Sequence, residues 1–132
     1  IMQHPVMTAT PHQSIGHVRD VMATHHVSAM PVVNPDHEPI GIVTAADLLE
    51  EHLSGAPISG IMSQPVYTVP RYDGPHIAAR IMRNHRIHHV VVTENRQVVG
   101  IVSTYDLLRL VEDHRFVAKP GPTPARRSRA RR

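Results

Sequence analysis

Gly41-Ile42-Val43-Thr44-Ala45-Ala46-Asp47 returns as Gly100-Ile101-Val102-Ser103-Thr104-Tyr105-Asp106. In each copy an apolar, β-branched run ends at a hydroxyl residue. Three positions later an Asp opens a helix-like stretch, Leu48-Leu49-Glu50-Glu51 or Leu107-Leu108-Arg109-Leu110. This pattern predicts a strand, a helix cap and a helix in succession. The hydroxyl-x-x-Asp has two physical readings. As a cap, Thr44 and Ser103 accept from the third helical N–H while Asp47 and Asp106 reach back, a capping box with Asp in place of Glu. As a binding element, a helix N-terminus with its hydroxyl suits a phosphate, and the carboxylate can accept from sugar hydroxyls. One copy alone favours the cap; duplication brings the binding element back into consideration.

The duplication extends outward from the motif. Ile1-Met2-Gln3-His4-Pro5-Val6-Met7-Thr8 matches Ile61-Met62-Ser63-Gln64-Pro65-Val66-Tyr67-Thr68 at an offset of 60, as do Met22 with Met82 and Val27 with Ile87. Gly41 and Gly100 are offset by 59, so one residue is lost between Val33 and Ile40, where a hairpin loop is expected. Pro5–Thr8 is expected as a strand, followed by a helix capped by Ser14 with Ile15, Val18, Val21 and Met22 on one stripe. Strands over Ala29–Val33 and Ile40–Val43 and a helix over Ala45–Leu53 complete the first copy. The second repeats this order with a helix start near Pro75, strands over His88–Val92 and Val98–Val102, and a helix over Thr104–His114. The fold class is α/β: tandem β-α-β-β-α repeats forming one pseudo-twofold module, with a three-stranded sheet in each half. Residues 1–54 form the first repeat and 58–115 the second. A lone repeat buries too little surface for comfortable stability, so the two are expected to share one core. Residues 116–132 are Pro- and Arg-rich and are expected to be a flexible tail.

Composition narrows the function classes. The chain has 132 residues, 41% of them hydrophobic, and no cysteine, which excludes disulfides and thiol chemistry. No apolar run approaches a membrane span and no signal-peptide pattern opens the chain, so a cytoplasmic protein is expected. Tyr67, Tyr72, Tyr105 and Phe116 are too few aromatics for a stacking platform of the kind that binds single-stranded nucleic acid. The net charge of +3 is unevenly distributed: residues 1–118 hold eight basic against eleven acidic residues, and Lys119 with the Arg126–Arg132 run supplies the rest. A basic-patch argument therefore applies to the tail alone.

The doubled order, with Pro-Val-x-Thr at each start and Gly-Ile-Val-[Thr/Ser]-x-x-Asp near each end, resembles a pair of CBS (cystathionine-β-synthase) domains, the Bateman module. Val27-Ser28-Ala29-Met30-Pro31-Val32-Val33 is similar to the family's strand leading into the hairpin. The resemblance covers residues 1 to about 114. It implies a ligand-sensing regulatory module that performs no chemistry and requires no cofactor. The ligand it implies is AMP, ADP or ATP, with S-adenosylmethionine as the less common alternative, held in two clefts between the repeats. One cleft would join Asp106, Ser103, Ile101, His88 and His89 to Thr8, Val27, Ser28 and Ala29. The other would join Asp47, Thr44, Ile42 and Ala29 to Thr68, Arg86, Ile87 and His88. The sequence departs from many relatives where an Arg often follows the His of the second repeat: His89 stands there, and Ala29 in the first repeat. A neutral imidazole is a poorer anion partner than a guanidinium.

The remaining features carry weaker expectations. Twelve histidines invite a metal, but neighbours on a strand point to opposite faces, so His88 and His89 are not expected to line one site. With no cysteine and no i, i+4 His pair in either first helix, no metal site is expected. The Arg126–Arg132 run suits weak, salt-dependent contact with nucleic-acid phosphates, against the plainer reading of a solvated extension. No catalytic constellation is evident, so an enzyme is not expected. The alternative to a sensor is a structural or nucleic-acid-associated scaffold with vestigial clefts. Leu48, Leu49, Leu53, Leu107, Leu108, Leu110 and Val111 offer more apolar surface than one small core absorbs, which predicts a homodimer.

Overall fold

The computed structural model describes residues 6–50 and 52–113. The start of the first expected strand at Pro5, the end of the last helix at His114 and the tail 116–132 lie outside the described residues. The element order is α1 (Ile15–His25), β1 (Ala29–Val33), β2 (Pro39–Thr44), β3 (Thr68–Pro70), α2 (Pro75–His85), β4 (His89–Glu94), β5 (Gln97–Ser103) and α3 (Thr104–Asp113). Short 3₁₀ turns at Asp47–Leu49 and Ile58–Gly60 lie between β2 and β3.

The repeat is visible down to single backbone angles. Ser14 caps α1 by accepting from the His17 N–H at 3.1 Å, whereas α2 begins with Gly74 and Pro75, a residue already committed to helical φ. Both helices end on a left-handed residue sixty positions apart, His26 at φ 55° and Arg86 at φ 56°. Their buried faces correspond as well: Val18 with Ala78, and Met22 with Met82. β1 pairs antiparallel with β2 and β4 with β5, each with an irregularity near the hairpin end. The missing residue falls in that hairpin. In the second repeat Asn95 and Arg96 both take positive φ (53° and 69°), the signature of a tight primed turn. The first repeat instead winds Asn34–Glu38 around the Asn34 side chain, whose Oδ1 accepts from the Asp36 and Glu38 N–H groups.

Three expectations need correction. Among the described residues the first sheet has two strands, not three: residues 6–10 contribute a parallel bridge from Ala9 to Val32, where β3 forms a third strand on β4. Among the described residues the expected helix over Ala45–Leu53 is a single 3₁₀ turn, Asp47–Leu49. The His52 ring donates to the Asp47 carbonyl at 2.9 Å, occupying an acceptor the helix would need. Beyond it the Ser54 and Ala56 carbonyls accept from the Gly16 and Ile15 N–H groups at 2.9 and 2.8 Å. The connection thus leaves the helix to satisfy the orphan donors at the start of α1. The core, finally, is divided. Ile15, Val18, Met22, Met30, Val32, Val43 and Ile58 form one cluster, and Val69, Ala78, Met82, Val90, Val92 and Val102 another. Val33, Val91 and Val98, with Val6, Ile42 and Val66 against them, tie the halves together. Gly41 packs tightly against the connection, since a Cβ there would lie 2.6 Å from the Met62 sulfur.

Candidate ligand-binding clefts

Both hydroxyl-x-x-Asp motifs close as capping boxes. The Thr44 N–H donates to Asp47 Oδ2 at 2.8 Å and the Asp47 N–H to Thr44 Oγ1 at 3.3 Å. The Ser103 N–H donates to Asp106 Oδ2 at 2.8 Å and the Asp106 N–H to Ser103 Oγ at 3.1 Å. Each motif leads from the end of the second hairpin strand of its repeat into a helical turn, and that end faces the other repeat.

Two cavities open there. The first, about 400 Å³, is lined by Ile42, Thr44, Ala45 and Ala46 at the end of β2, by Ser28, by Ser63, Pro65, Val66 and Tyr67 of the connection, and by Ile87, His88 and His89. The second, about 280 Å³, is lined by His26, Val27, Ser28 and Ala29 of the first repeat and by His89, Ile101, Ser103, Tyr105 and Asp106 of the second. Ser28 and His89 belong to both walls and approach each other at 3.4 Å between Oγ and Nε2. Burial pushes the His89 imidazole below its ordinary value, His88 adds to that, and the Asp106 carboxylate opposes both. The neutral form of His89 is therefore favoured.

The second cavity brings together Val27, Ser28, Ala29, His89, Ile101, Ser103 and Asp106 from the residues expected there, without Thr8 or His88. The first gathers Ile42, Thr44, Ile87 and His88 from its expected set. Asp47, Ala29, Thr68 and Arg86 do not line it: Asp47 is engaged with Thr44 in its capping box, and Arg86 is exposed at the left-handed end of α2. Thr68 lines a different, open cleft of about 640 Å³ with Glu38, Tyr72, Glu94 and Arg96. His88 and His89 do line one cavity, contrary to strand alternation, because β4 begins at His89 and His88 precedes it. His88 is held by the start of α3, its carbonyl accepting from the Thr104 N–H at 2.9 Å.

Sequence reasoning overlooked Tyr67 and Tyr105. Tyr67 stacks on His85 with ring centroids 4.1 Å apart while lining the first cavity. Tyr105 lies inside the repeated motif, at the place Ala46 takes in the other copy, and an aromatic residue between a hydroxyl and an Asp was the available signal. Among the described residues no three His, Asp or Glu side chains are grouped to hold a metal ion, and no helix is long and apolar enough to cross a membrane.

Two α/β repeats with cavities walled by both define a duplicated module with clefts at the seam between its halves. The chain belongs to the CBS domain family, whose model matches residues 1–54 and 58–113. It is similar to the CBS domain pair of protein MJ0100, solved in complex with 5′-methylthioadenosine and S-adenosyl-L-methionine (TM-score 0.78, 28% identity, covering 86% of this chain and 94% of that one). A CBS domain protein from Pyrobaculum aerophilum complexed with AMP is similar too (TM-score 0.76, 28% identity, 89% and 95% covered). Homoserine O-acetyltransferase of Methanosphaera stadtmanae is 30% identical over 114 residues, which span 85% of this chain and 23% of that enzyme. The chain spans less than two thirds of the length of the curated relatives it matches.

Proposed function

We propose that this chain is a regulatory module that senses a small molecule containing adenosine, the group shared by AMP, ADP, ATP and S-adenosylmethionine. The observation that carries the reading is the second cavity, which sets Asp106 and Ser103 of one repeat against Val27, Ser28 and Ala29 of the other. Asp106 uses Oδ2 within its own cap and retains Oδ1 to accept from a sugar hydroxyl. The first cavity adds the apolar wall a purine needs, from Ile42, Pro65, Val66 and Ile87. The two complexes with adenosine ligands among similar structures support this reading. A ligand seated between repeats bears on how they sit against each other, which is the physical basis for regulation without catalysis.

The test is a thermal-shift series with adenosine, AMP, ADP, ATP and S-adenosylmethionine. A ligand that binds only the folded state at a hundred times its Kd adds about 2.7 kcal/mol of stability and raises the melting temperature. Absence of any shift at millimolar concentration refutes the reading.

A further inference from the structure

The helical faces of the two repeats match in position and differ in charge. In the second repeat α2 and α3 pack against each other and join one core cluster through Ala78, Met82 and Leu107, so their solvent sides adjoin. Those sides carry Arg80 and Arg83 of α2 with Leu108 and Arg109 of α3, all exposed. Among the described residues none of these arginines pairs with a carboxylate. In the first repeat α1 and the turn Asp47–Leu49 join the other cluster through Val18, Met22 and Leu48. The offsets that align the repeats, 60 in the first helix and 59 after the hairpin, put Asp20 where Arg80 stands, Leu49 where Leu108 stands and Glu50 where Arg109 stands. Asp20, Leu49 and Glu50 are exposed as well, Leu49 at 87% against 64% for Leu108. Ala23 takes the place of Arg83, and Arg19, half-buried, that of Ala79. Each face thus bares a leucine at the same place, in company with carboxylates on the first repeat and guanidinium groups on the second.

Bare leucines on a helical face are surface that association removes from water. The charges decide which face meets which. Pairing like repeats in a twofold dimer sets Asp20 and Glu50 against their own copies, and Arg80 and Arg109 against theirs, and like charges across an interface disfavour that partner. Pairing unlike repeats sets carboxylates against guanidinium groups, whose planar fork suits them, and twofold symmetry makes the contact twice. We propose that these faces are covered by a second copy of this chain docked head to tail, the first repeat of each copy against the second repeat of the other. Apolar surface alone predicts a dimer without an orientation; the reversal of charge at equivalent positions supplies one.

The chain has no cysteine, so introduced thiols report the orientation directly. Leu49→Cys and Leu108→Cys are made separately in the full chain, one of them enlarged by a tag, and each is treated with a short bis-maleimide alone and after mixing and equilibration with the other. The mixed product joining position 49 to position 108 is expected to exceed either product of one variant with itself about fivefold or more. Products joining 49 to 49 and 108 to 108 in excess mean that like repeats meet and overturn the proposal. No product in any arrangement, with both variants folded by circular dichroism, shows that a second copy does not cover these faces and also overturns it. The charges are tested on their own by sedimentation. Asp20→Arg is expected to weaken the dimer about threefold or more, and Asp20→Arg with Arg80→Asp in the same chain to restore it. A double variant as weak as the single one refutes the part given to charge.

Discussion

Replacing Asp106 by Asn separates the cap from the ligand contact, because the structure gives the two carboxylates of the repeat different surroundings. Asp106 Oδ2 accepts from the Ser103 N–H at 2.8 Å and the side chain also lines the second cavity. Asp47 makes the same cap bond at 2.8 Å but does not line the first cavity. Asn retains an oxygen for the cap and loses the charge. The stability cost is then the difference between a charge-assisted and a neutral hydrogen bond, about 1 kcal/mol in either variant. In a domain of this size that is roughly 4 °C in melting temperature. Ligand affinity should divide the two variants. If Asp106 accepts from ribose hydroxyls, Asp106→Asn loses about 1.5–3 kcal/mol of binding, roughly ten- to a hundredfold in Kd. Asp47→Asn should change Kd less than threefold by the same conversion, about 0.6 kcal/mol or below. Titration calorimetry with the ligand that gives the largest thermal shift, alongside thermal melts of both variants, provides the readings. Equal losses of affinity in the two variants, or no loss in Asp106→Asn, would refute the reasoning.

Burial disfavours the charged form of His89, so its folded pKa lies below the unfolded value and the unfolded chain binds the proton more readily. Its contribution is intact above about pH 6.5 and is lost as pH falls through the lowered folded pKa; His89→Gln should therefore flatten the melting-temperature profile between pH 7 and 5, and an unchanged slope counts against it. Leu49 and Leu108 are 87% and 64% exposed, and Leu108→Glu is expected to shift a dimeric wild type to monomer in analytical ultracentrifugation at micromolar concentration; a wild type already monomeric there rejects the interface. Gly41→Val drives two methyl groups toward Met62 and should lower stability by about 1–3 kcal/mol in urea unfolding, whereas no loss would mean that Met62 swings aside freely.

What the sequence determined by itself was whatever depends on neighbours a few positions apart. The seven-residue repeat located both β2 and β5, and its hydroxyl-x-x-Asp spacing specified caps that close as written, because a capping box needs only residues three apart. The one-residue difference in offset located the hairpin where the two repeats diverge. Tertiary structure decided the rest. The sequence after Leu49 carries adequate helix formers, yet Glu50 is already extended, and Ser54 and Ala56 instead reach the unsatisfied donors of α1, a contact about forty positions away in sequence. The same non-local docking brings Pro65, Val66 and Tyr67 to the first cavity and leaves Asp47 engaged with Thr44, while its counterpart Asp106 lines the second. Two copies with one local pattern thus acquire different clefts, since a cavity is shaped by what packs across from the motif and no periodicity along the chain encodes that.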